Sequence, residues 1–133
     1  VTVAVLGGCG GEVVGNLVEI HRDGAIPDAR LTLLVKDDGR VSCNGGPLKL
    51  LPGELLLDAR DFVHAVNGDI RQYPEPMKSA SYPPGAGAVL TYRVRTAKEH
   101  FVFSDTSRGV PKPLLRLQGF TRTIAKAVCG LAR

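Results

Sequence analysis

The chain has 133 residues, 44% hydrophobic and 23% charged, with a formal net charge of +4. That length holds one domain with a single buried core. The composition excludes a disordered, collagen-like or coiled-coil chain. No apolar run approaches the roughly 20 residues that a membrane-crossing helix needs. Basic residues are scattered and aromatics are only 5%, so no nucleic-acid partner is expected, since such partners call for a basic stripe interleaved with stacking rings.

The first nine residues, Val1-Thr2-Val3-Ala4-Val5-Leu6-Gly7-Gly8-Cys9, form an apolar run ending in small residues and a cysteine. Export signals have a charged start, an apolar middle and a small-residue cleavage site. The middle and end are present here, so the signal is expected to extend upstream of Val1. Leu6, Gly7, Gly8 and Cys9 resemble the lipobox of bacterial lipoproteins. That resemblance implies a signal remnant at 1–8 and a diacylglycerol thioether on Cys9, and two acyl chains suffice for stable anchoring. A buried first strand with a glycine turn is a second reading. A dinucleotide loop is a third, because Val3 to Gly11 looks like a strand entering a phosphate-binding turn. Counting from Gly8, however, that pattern meets Val13 where its third glycine belongs.

Residues 9–16 are glycine-rich and read as a tether, leaving 17–133 as the folded domain. Leu17 to Arg22 is a strand candidate, broken by Asp23-Gly24 and again by Pro27. Arg30 to Lys36 is a second strand. Asp37-Asp38-Gly39 supplies residues tolerant of positive φ and predicts a hairpin turn. Arg40 to Cys43 returns, Asn44-Gly45-Gly46-Pro47 ends it, and Leu48 to Leu51 offers a further short strand.

Glu54 to Val66 reads as a helix, with Leu55, Ala59, Phe62, Val63 and Val66 at helical spacing and Asn67-Gly68 as the stop. Residues 69–87 carry four prolines and two glycines and predict a long, exposed, mobile connection. Ala88 to Thr96 alternates, with Leu90, Tyr92 and Val94 on one side and Thr91, Arg93 and Arg95 on the other. His100 to Asp105 returns with Phe101 and Phe103 on one face. The last helix is expected from about Pro113 to Cys129, burying Leu114, Leu117, Phe120, Ile124 and Val128 and exposing Arg116, Arg122 and Lys126. The order β-β-β, helix, β-β, helix predicts an α+β fold: an antiparallel sheet of about five strands with two helices on one face.

Besides Cys9 the chain has Cys43 and Cys129. An even pair in an exported domain suggests a Cys43–Cys129 disulfide, whereas two buried free thiols are the alternative for a cytosolic protein. Catalytic chemistry finds little footing. His21, His64 and His100 stand alone, without metal-ligand spacing. Neither a nucleophile elbow nor a P-loop occurs. Asp58 and Asp61 lie three apart on one helix, and read as a charged solvent face sooner than as an acid/base pair. Ser104-Asp105-Thr106-Ser107 reads as turn and capping chemistry. No catalytic residue, metal or cofactor is expected, and the chain reads as a non-enzyme.

Val18-Glu19-Ile20-His21-Arg22-Asp23-Gly24-Ala25, then Leu31-Thr32-Leu33 with Asp38-Gly39-Arg40-Val41, resembles the start of the emfourin family of small protease inhibitors. Leu90 to Val94, His100 to Ser104 and Val110 to Leu117 resemble its second half, so the likeness spans residues 17–128. It implies inhibition of thermolysin-like zinc metalloproteases, while the lipobox resemblance implies an extracytoplasmic protein held to the cell membrane through Cys9. Asp23, Gly24, Ala25, Ile26 and Pro27 form the expected partner-binding loop, because a stiff loop loses little entropy on binding. The residues leave two other functions open: an envelope- or cell-wall-associated lipoprotein binding through a basic face, and a nucleotide-binding fragment.

Overall fold

The computed structural model describes residues 15–133. The lipobox resemblance, with Cys9 as its lipid-bearing residue, lies outside the described residues. So does the glycine pattern of the dinucleotide reading.

Seven strands and two helices follow in the order β1 (Asn16–Gly24), β2 (Leu31–Lys36), β3 (Arg40–Cys43), β4 (Lys49–Leu50), α1 (Gly53–Asn67), β5 (Ala80–Ser81), β6 (Leu90–Arg95), β7 (His100–Ser104) and α2 (Lys112–Ala127). They form one sheet in the order β4-β3-β2-β1-β6-β7-β5. Every pairing is antiparallel except β5 with β7. The fold is therefore α+β, as the segregated pattern predicts, but the sheet has seven strands rather than about five. The surplus is two two-residue strands at the edges: β4, which falls within the short strand expected at Leu48 to Leu51, and β5, which is too short for periodicity to announce. The antiparallel centre is not the parallel order that a dinucleotide-binding fold requires. β1 begins at Asn16, inside the span read as a tether, and the Gly15 carbonyl accepts the Asp37 N–H at 2.8 Å.

The alternation seen in the sequence decides which face is covered. Val18 and Ile20 of β1 stand beside Leu31, Leu33 and Val35 of β2, Val41 of β3, Tyr92 and Val94 of β6, and Phe101 and Phe103 of β7, all buried. Both helices close over this face with Ala59, Phe62 and Val66 of α1 and Leu114, Leu117, Phe120 and Ile124 of α2 in the same apolar cluster. Tyr92 and Phe103 stack at 5.2 Å between ring centroids, a geometry that contributes beyond its buried area. Among the described residues, no helix covers the opposite face of the sheet.

Turn chemistry follows the sequence closely. Gly39 takes φ +93° after the Asp37-Asp38 turn, where a side chain would be strained. Gly68 at φ +74° ends α1, its N–H bonding to the Ala65 carbonyl and that of Asp69 to the His64 carbonyl. This paired arrangement satisfies two orphan carbonyls at the helix end.

The 69–87 connection is irregular, as its prolines dictate, but its second half is not loose. Met77 N–H reaches the Val66 carbonyl at 2.8 Å, and Tyr82 N–H reaches the Val102 carbonyl at 2.8 Å. Between them Ser79 donates its N–H and its hydroxyl to Glu99 Oε1 at 2.7 and 2.6 Å, and the His100 N–H donates to Ser79 Oγ at 2.9 Å. Proline content reports only that the segment cannot be helix; it is silent on side-chain anchors 20 residues away.

Cys43 and Cys129 are disulfide-bonded across a sequence separation of 86, with Cα atoms 5.8 Å apart. The bridge joins the end of β3 to the chain just past α2. Replacing both cysteines by alanine is expected to lower unfolding stability by about 2–4 kcal/mol, seen as a lower urea midpoint; an unchanged midpoint would show that the crosslink adds nothing. The two Ser79 donors favour the ionised Glu99 carboxylate and hold its pKa below the usual value. Their stabilisation is thus present above the ordinary glutamate range and fades as pH falls through the lowered native value. The Ser79 amide resonance should titrate with a midpoint below that of an exposed glutamate, and Glu99→Gln should abolish the titration.

Candidate functional site

β1 alternates Val18, Ile20, Arg22 on its inward side, so the third inward residue is an arginine. Arg22 is 2% exposed, at the end of the strand where β1 turns toward β2. A buried guanidinium needs acceptors for its fork of donors, and three carbonyls supply them. Nε donates to Ala29 at 2.8 Å, while Nη2 donates to Asp28 at 2.9 Å and to Arg133 at 2.6 Å. Burial pulls the Arg22 pKa below the usual arginine value, opposed by the neighbouring Tyr92 hydroxyl. Burial likewise raises the Tyr92 phenol, opposed by the Arg22 charge.

These bonds fix the β1–β2 connection. Asp28 sits at φ +61°, a conformation unusual for a residue with a side chain. It is held from three sides: its carbonyl by Arg22, its Oδ2 by the Ala132 N–H at 2.9 Å, and the turn around it by Ala29 N–H to the Ile26 carbonyl at 3.2 Å. At the other end of the turn, Asp23 Oδ1 accepts the Gly24 N–H at 3.1 Å. Gly24 lies so close to β6 that an added Cβ would run into the Val89 carbonyl oxygen. Ala25 and Pro27 project into solvent and Ile26 is half-buried. The expected partner-binding residues, Asp23 to Pro27, are thus contiguous on a braced turn. Arg22 went unrecognised as the brace in the sequence, although period-two alternation from Val18 already placed it on the core side.

The remaining candidates disperse. His21 is exposed on the open face of the sheet, its Nε2 2.8 Å from Glu19 Oε2 and its Nδ1 3.3 Å from Thr32 Oγ1. His64 is exposed in the last turn of α1, its Nδ1 2.9 Å from Asp69 Oδ1. His100 is exposed on β7. Asp58 and Asp61 are exposed on α1, at the rim of a groove of about 530 Å³ floored by Phe62, Leu117 and Phe120. Ser104 to Ser107 is a hydrogen-bonded turn, with Ser107 Oγ accepting the Ser104 N–H at 2.8 Å and donating to the Tyr82 carbonyl at 3.2 Å. Among the described residues no three His, Cys, Asp or Glu side chains gather as a metal-binding group, and no helix is long and apolar enough to cross a membrane.

No family model matches the chain, and neither a curated protein nor a solved structure matches it. The braced β1–β2 turn is the most defined candidate surface in the described residues.

The brace has a direct consequence. Arg22→Met keeps the aliphatic stem but leaves three carbonyls without their donor, and should destabilise the domain by about 3 kcal/mol. Arg22→Lys should lose most of the same amount, because an ammonium cannot reproduce the planar fork. In both variants cleavage by a nonspecific protease should appear within residues 24–30; cleavage rates equal to those of the parent chain would show that the turn holds without the brace.

Proposed function

We propose that this chain is a non-enzymatic exported binding domain, held to the extracytoplasmic face of the cell membrane through lipid on Cys9, and that it inhibits thermolysin-like metalloproteases through the Asp23–Pro27 turn. The observation that carries the proposal is the Arg22 brace. A turn already fixed in shape enters a cleft without losing the conformational freedom that a flexible loop would lose. Pro27 limits the backbone further. Ile26 offers the turn one apolar side chain, half-buried and flanked by the exposed Ala25 and Pro27. The Cys43–Cys129 bridge suits an oxidising, extracytoplasmic setting.

Steady-state hydrolysis of a peptide substrate by several thermolysin-like proteases tests it. Added chain should slow turnover at micromolar concentration and itself stay uncut. Ile26→Asp should weaken inhibition by about tenfold, the 1.4 kcal/mol expected for the loss of one small apolar contact, while leaving the fold intact. Full protease activity at high micromolar chain, across all the proteases, would end this reading.

A further inference from the structure

The open face of the sheet has a chemistry of its own, distinct from that of the turn it borders. On that face β1 places Glu19, His21 and Asp23 opposite Arg95, Arg93 and Thr91 of β6. β7 continues the rows with His100 opposite Arg95 and Val102 opposite Arg93. The carboxylates nearby are already engaged. Glu19 Oε2 lies 2.8 Å from His21 Nε2 rather than on its cross-strand neighbour Arg95. Asp23 accepts the Gly24 N–H at 3.1 Å and stands 3.9 Å from Arg30. Asp38, at the far edge, is paired with Arg40 at 2.8 Å. Arg93 and Arg95 have neither an ion pair nor a side-chain hydrogen bond among the described residues, although both are exposed. The outward positions of β6 and β7 include no acid at all.

Two arginines at positions i and i+2 of one strand stand about 7 Å apart along it. Arg30, 87% exposed at the mouth of β2, extends the positive row past the end of the strand. Between them lies a concave region of about 580 Å³ lined by His21, Asp23, Arg30, Thr32, Thr91 and Arg93, together with Arg22, Gly24 and Ala25. The residues that line it are polar or charged apart from Gly24 and Ala25. The Phe and Tyr residues of these strands, Tyr92, Phe101 and Phe103, all point to the core, so among the described residues the strands of this face offer a nucleobase only the imidazoles of His21 and His100 and no Phe, Tyr or Trp ring. Among the described residues its large hydrophobics on the central strands are Leu34 and Val102, both half-buried, with Leu50 exposed at the far β4 edge opposite Arg40.

We propose that this face binds a linear phosphodiester polyanion without aromatic groups, along a track running from Arg95 through Arg93 toward Arg30. The guanidinium forks of Arg93 and Arg95, which have no acidic partner among the described residues, match phosphate oxygens in charge and in shape, and Arg30, whose contact with Asp23 is a long 3.9 Å, adds a third cation. An extended row of separated cations suits a repeating anion along a chain better than a single point charge. His21 and Thr32 supply polar contacts at the centre of the track.

Synthetic poly(glycerol phosphate), titrated into the full chain at several salt concentrations, tests this. Affinity should fall with salt, with a log–log slope near −2, on the order of 0.7 for each of three contacts. Arg93→Ala/Arg95→Ala should lose about tenfold in affinity at low salt and flatten the slope by about 1.4, two contacts' worth. Arg71→Ala/Lys126→Ala removes the same charge on the helical side and should change affinity less than about twofold. Equal losses in the two double variants would reduce the effect to net charge and overturn the track. So would a failure to bind the polymer, or binding of phosphatidylglycerol vesicles while the polymer is ignored.

Discussion

An arginine on the core side of a central strand has to find acceptors, because a buried guanidinium left without them is far costlier than a surface one. β1 is the middle of this sheet, paired on both sides, so its inward face is covered along its whole length. Two of its inward residues are apolar and the third is Arg22. Three backbone carbonyls from two separate stretches of chain meet that guanidinium. The β1–β2 turn and residues 131–133 are consequently drawn to the same end of the sheet, and the positive φ of Asp28 is sustained by bonds from both of them.

The disulfide belongs to the same assembly. Cys129 is bonded to Cys43 on β3, and two residues later the Leu131 N–H returns to the Ala125 carbonyl of α2 at 2.9 Å. Ala132 and Arg133 then reach Asp28 and Arg22. A crosslink at Cys129 therefore shortens the free chain that has to be placed against the turn. In the chain-entropy view it stabilises by restricting the unfolded ensemble; here it also anchors, four residues before Arg133, the stretch of backbone that Arg22 uses.

The two surfaces proposed for binding meet along β1. The Asp23–Pro27 turn is an edge feature, shaped by backbone bonds and suited to a cleft. The Arg93–Arg95 face is broad, charged and suited to an extended anion. Gly24 and Ala25 border both. Occupancy of the face by a polymer would therefore crowd one side of the turn, and the two functions would compete for that border. The apolar groove between α1 and α2 lies on the opposite side of the molecule and shares no residue with either.

Local signals in the sequence were sufficient for the main strands, both helices and the stop of α1, since each depends on contacts within a few residues: alternation along β1, β2 and β6, helical spacing in α1 and α2, Gly39 and Gly68 at positions of positive φ; α2 ends at Ala127 rather than at Cys129, and Val128 beyond it is half-buried rather than buried. Even the inward placement of Arg22 was determined by alternation from Val18. The tertiary structure decided the rest, because it depends on residues far apart in the chain. β5 exists only because Ser79 meets Glu99 and Ala80 lies against β7. The brace exists only because Arg133 returns to Arg22 across 111 residues. Arg93 and Arg95 stand out only once the register shows that the acids beside them are engaged elsewhere. Periodicity tells a residue which side it faces; only the packed chain tells it what is waiting there.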